Sequence, residues 1–120
     1  MPDQWPRALL RAELEERGYD AVGAPGLRAA QQYPVSDSER GPVRLILLDQ
    51  RVLTPPDEAL WPRLLERHGR PATVLLTRAG QAPAGGDWTR VLRRPLSIAS
   101  LADTVGALVP LPRGGASPDR

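Results

Sequence analysis

Three apolar runs of strand length interrupt an otherwise polar chain, and each ends on a polar residue. Residues 43–48 lead to Asp49, residues 72–76 lead to Thr77, and Val91 with Leu92 leads into Arg93, Arg94 and Pro95. Runs this continuous fit strands buried on both faces, the mark of a parallel sheet covered by helices. In open sheets of that kind ligands collect beyond the carboxyl ends of the strands. A carboxylate, a hydroxyl and a cation are therefore expected at one edge.

Between these runs the spacing changes to that of helices. A first helix is predicted from Trp5 or Pro6 to Arg17, with Asp3 as N-cap, Pro6 in the first turn, Gly18 as the stop, and Leu9, Leu10 and Leu14 on its apolar face. Residues 19–22 read as a short strand, and Pro25-Gly26 turns into a small helix over residues 27–32. Residues 36–41 form a polar loop. A third helix is predicted over residues 57–67, with Pro62 in its first turn or kinking it. The stretch 79–86, rich in Gly, Ala and Pro, reads as a loop in place of a regular helix. Residues 89–92 give the last strand, and Ser97 caps a helix with Ile98, Leu101, Val105 and Leu108 on one stripe. The order predicts an α/β layered domain over residues 1–109, followed by a loose tail over residues 110–120.

Composition narrows the function more than it names it. The 120 residues suit one small domain, and a net charge of +2, with both signs interspersed, argues against a nucleic-acid arm. The chain has no cysteine and a single histidine, His68, so neither a thiolate nucleophile nor a zinc site is supported. His68 falls near a helix end, where a cation is favourable. No run is long enough to span a bilayer and residues 1–11 lack an apolar signal region, so a cytoplasmic protein is expected. Gly85-Gly86 has neither the lysine nor the spacing of a phosphate-binding loop, and Trp5, Trp61 and Trp88 are too scattered for a base-stacking platform.

Taken in order, residues 9–19, the Leu45-Ile46-Leu47-Leu48-Asp49 run, the Val74-Leu75-Leu76-Thr77 run and Arg94-Pro95-Leu96-Ser97 resemble the receiver domains of bacterial response regulators. The resemblance implies a flavodoxin-like parallel sheet flanked by helices, of family strand order 2-1-3-4-5, and a function in two-component phosphorelay signalling rather than an enzyme. It implies phosphorylation at Asp49 from a histidine kinase or phosphotransfer protein, with Thr77 and Arg94 contacting the phosphoryl group and Pro95 in a cis peptide bond. A family member also uses Mg²⁺, because a hard divalent cation neutralises crowded phosphoryl and carboxylate oxygens. Asp3 and Asp49 are the metal-ligand candidates here.

The chain departs from the family in three places. The acidic pair that ends the family's first strand would fall on Met1 and Pro2, and that strand itself is missing, so the fold is expected to be incomplete at its N-terminus. Three explanations stand open: a true start lying upstream, a sheet that closes differently, or a strand donated by another chain. Arg94 replaces the usual lysine with a planar fork, and the stretch from Thr77 to Arg93 is short. Two functions follow: a stand-alone receiver switched at Asp49, or a pseudo-receiver that binds another signalling protein without phosphorylation. A small α/β enzyme or phosphate-ligand binder on the same edge is a weaker third. Read without the resemblance, Asp49 is a turn residue, Thr77 a strand-end hydroxyl, Arg94 a solvated charge and Asp3 an N-cap.

Overall fold

The structure, a computed structural model, describes residues 4–34 and 41–111. Its elements run α1 (Gln4–Glu16), α2 (Leu27–Ala30), β1 (Leu45–Asp49), α3 (Leu60–Arg67), β2 (Ala72–Arg78), β3 (Arg90–Arg94) and α4 (Ile98–Leu108), with short 3₁₀ turns at Gln50–Val52 and Asp57–Ala59. The strands form one parallel sheet in the order β1-β2-β3. The fold is thus α/β. Asp3, residues 36–40 of the expected polar loop and residues 112–120 of the expected tail lie outside the described residues.

The apolar runs are continuous because the sheet is covered on both faces. Side chains alternate along a strand. Ile46, Leu48 and Leu75 enter a cluster with Leu27, Trp61 and Leu64 from α2 and α3. Leu47, Leu76 and Leu92 enter the opposite one with Leu10, Leu101 and Ala102 from α1 and α4. Central β2 is the most enclosed: residues 73–77 are all buried. β1, with a neighbouring strand on one side only among the described residues, has Leu45, Ile46 and Leu47 half-buried.

Local signals place the helix ends. Gly18, at φ +102°, follows α1, with its N–H bonded to the Glu15 carbonyl and the Tyr19 N–H to that of Leu14, the paired bonds of a Schellman stop. The Ser97 hydroxyl accepts from the Ser100 amide and caps α4. Pro62 lies in the first turn of α3, where its missing N–H costs no helical bond.

Three expectations need correction. Residues 19–22 are not a strand; they belong to no sheet among the described residues, because a strand needs a ladder partner and β1 pairs only with β2 there. Leu9 is 52 % exposed, since only the i, i+4 pair Leu10 and Leu14 faces the sheet, and Leu9 lies about 100° around the helix from Leu10. His68 does cap α3, but burial first, and the neighbouring Arg67 charge second, push its pKa down, so the site disfavours the cation.

The stretch between β2 and β3 contains no helix and is tied down by side chains instead. The Gln50 amide donates to the Ala82 carbonyl and accepts from the Ala84 N–H. Trp88 donates to the Ala84 carbonyl and stacks on Trp61, ring centroids 5.4 Å apart.

Candidate functional site

The carboxyl edge of the sheet gathers the ends of all three strands. β1 ends on Asp49, which the register places opposite Leu76. Thr77 is one residue further along β2, opposite Arg93, and Arg94 is the last residue of β3. The Arg94–Pro95 peptide bond is cis.

Asp49 is 2 % exposed, and a lone carboxylate so enclosed would be costly. Two guanidinium groups resolve that cost. Arg94 donates from Nη2 to Oδ2 at 2.5 Å. Arg51 donates from Nη2 to Oδ2 at 2.8 Å, from Nε to Oδ1 at 3.2 Å, and from its backbone N–H to Oδ1 at 3.0 Å. The backbone bond is the turn in which an aspartate side chain accepts the amide two residues on, and it starts the 3₁₀ turn after β1. Burial alone would raise the Asp49 pKa; the hydrogen bonds from Arg51 and the charges of Arg94 and Arg51 outweigh it, so the carboxyl is held below its ordinary value. Asp49 is an ionised acceptor with both oxygens engaged.

Thr77 is equally enclosed, and its hydroxyl donates to Gln81 Oε1 at 3.2 Å. Arg93 turns away and donates to the Gln81 carbonyl. The structure therefore joins Asp49 to Arg94 directly and sets Thr77 on the adjoining strand, bonded to the following loop. Sequence reasoning missed Arg51 and Gln81. The Asp-x-Arg spacing at a strand end was the available signal for Arg51; nothing local marks Gln81.

The residues present do not fit a divalent cation at this edge. Among the described residues no three of His, Cys, Asp and Glu come together. The one carboxylate described at this edge already faces two cations, which repel a third and fill the directions from which a hard ion takes its oxygens. Asp3, the other metal candidate, lies outside the described residues. Among the described residues, no helix is long and apolar enough to cross a membrane.

No protein-family model and no curated protein sequence matches the chain.

Proposed function

We propose that this chain is a pseudo-receiver of two-component signalling, a flavodoxin-like module that binds another signalling protein without phosphorylation at Asp49. The observation that carries this reading is the clamp on Asp49. To attack a phosphodonor, a carboxylate oxygen must point a lone pair at phosphorus. Oδ2 accepts from both Arg51 and Arg94, and Oδ1 accepts twice from Arg51. Charge-assisted bonds of this kind lower both the basicity of the oxygen and its access to a donor. Arg51 supplies positive charge where a receiver would recruit Mg²⁺, so the clamp fixes one state of the edge. The parallel sheet covered on both faces, together with the order of motifs along the chain, supports the receiver-like assignment.

A second reading is favoured by the convergence of Asp49, Thr77 and Arg94 on one edge. In it a histidine kinase or phosphotransfer protein presents a phosphohistidine, an Asp49 oxygen bonds to phosphorus, and the P–N bond breaks with its electron pair left on the imidazole. Arg51 would have to leave first.

Intact mass of the full chain after incubation with acetyl phosphate and Mg²⁺, run beside Asp49→Asn, separates the two. The pseudo-receiver predicts no adduct on the folded wild type. A phosphoryl adduct that Asp49→Asn abolishes would replace it with the switched receiver.

A further inference from the structure

The β3 edge of the sheet is basic and bare. β3 stands last in the order β1-β2-β3, and no described strand pairs with its outer side. The Thr89 N–H donates to the Thr73 carbonyl on β2. Backbone groups alternate sides along a strand, so Val91 and Arg93 also face β2, whereas Arg90, Leu92 and Arg94 turn their N–H and C=O groups outward. Among the described residues nothing pairs with these outward groups.

The side chains carry the charge. Leu92 enters the α1 and α4 cluster, so Val91 and Arg93 point to the other face, where the stretch between β2 and β3 supplies no helix and Val91 is 36 % exposed. Arg78, Arg90 and Arg93 are exposed, and among the described residues none of them meets a carboxylate. Arg78 stands in register beside Arg94, whose acidic partner is the buried Asp49. Positive charge therefore gathers along β3 and the end of β2 with no exposed carboxylate described beside it.

We propose that the outer side of β3 receives an extended acidic segment of another protein as a fourth strand, with acids opposite Arg90, Arg93 and Arg94 and apolar residues opposite Val91 and Leu92. Charge complementarity selects this occupant. A second copy paired edge to edge about a two-fold axis at Leu92 sets Arg90 opposite Arg94 twice, and like charges directly opposite destabilise a ladder. The same arginines thus guard the edge against its own kind. Segments outside the described residues join the chain elsewhere: residues 35–40 precede Gly41 and residues 112–120 follow Leu111, both of which line the open side of β1, two strands away. Residues 112–120 also hold two arginines against one aspartate, the wrong sign, and residues 1–3 are shorter than the edge. A nucleic acid matches the charge but brings no backbone ladder and no side chains in register with Val91 and Leu92. The proposal adds the partner's chemistry to the pseudo-receiver reading and rests on it only in that the chain acts by binding. A phosphoryl adduct on Asp49 would remove the pseudo-receiver and leave this edge as it is.

The test uses the full chain and the capped peptide Glu-Glu-Val-Ile-Glu-Glu, whose pattern fits the edge in either direction. Beside it runs the same peptide N-methylated at Val and Ile, which keeps every side chain and loses the ladder donor facing β3. Amide hydrogen exchange is read by NMR. With the peptide at about 100 times its Kd, exchange at Arg90, Leu92 and Arg94 slows by about 100-fold, and the methylated peptide at the same concentration has no such effect. Arg90→Glu, at an exposed position, weakens peptide binding by about tenfold. Unchanged exchange at the three amides overturns the proposal, as does an Arg90→Glu chain that binds like the wild type. Equal protection by the methylated peptide or by an oligothymidylate overturns it too, since any polyanion would then adhere. So does protection of the three amides in the free chain, with sedimentation showing either monomer or dimer, because residues of this chain or a second copy would then already pair with β3.

Discussion

Removing the cations that hold Asp49 gives the sharpest test of the clamp. Stripping the partner from a buried charge costs about 3–5 kcal/mol when nothing replaces it. Either guanidinium leaves the other in place, and their side chains are 39 % exposed for Arg51 and 30 % for Arg94, so solvent screens each contact. Arg94→Met or Arg51→Met alone is therefore expected to cost about 1–2 kcal/mol, and the double substitution about 3–5 kcal/mol. Urea unfolding at pH 7 reads this directly, since an m-value of about 1–3 kcal/mol per molar puts the double variant's midpoint lower by about 2 M. Adding Asp49→Asn to the double variant should return most of the loss, because the amide keeps an acceptor for the Arg51 N–H and carries no charge. The pH dependence has a definite sign. The folded Asp49 pKa lies below its unfolded value of about 3.9, so the clamp's contribution is complete above that pH and disappears as pH falls through the folded value. A double variant as stable as the wild type at pH 7, or one that Asp49→Asn does not restore, would refute the electrostatic account.

Two other outcomes follow from the packing. Ser97→Ala removes the side-chain acceptor for the Ser100 amide and should lower stability by about 1 kcal/mol in thermal unfolding, with Ser97→Asp close to wild type. Burial holds the His68 pKa below its unfolded value of about 6.5, so the unfolded chain takes up the proton first; neutral His68 is fully accommodated above that pH, and stability falls as pH drops through the folded value. His68→Gln should flatten that part of the stability profile in urea titrations from pH 7 to pH 5, and an unchanged slope would assign it to other groups.

The sheet was legible in the sequence because burial on both faces leaves no polar position inside a strand such as Leu45–Asp49, and the Ser97 cap because it is a local bond. The absence of a helix after Thr77 was legible for the same local reason: Gly80, Pro83, Gly85 and Gly86 break it. What failed depends on neighbours. Residues 19–22 have strand composition, but pairing belongs to two segments and cannot be read from one. Arg51 went unnoticed because its target is defined only once β1 ends and the chain turns back on the carboxylate. His68 occupies a helix end suited to a cation, and the Tyr33 ring 6.2 Å away belongs to a distant stretch of sequence.

The stacked pair Trp61 and Trp88 has a practical consequence. Their rings are 5.4 Å apart and inclined by 19°, one on α3 and the other at the end of the irregular stretch before β3. Indoles this close share their excited states, so the near-ultraviolet circular dichroism of the chain includes a contribution from this contact. Unlike the far-ultraviolet signal, which follows the helices, it should vanish when the stretch over residues 79–89 lifts from the sheet while the remaining elements stay folded. The protein thus carries an intrinsic chromophore pair with which undocking of its least regular segment can be timed, without a label.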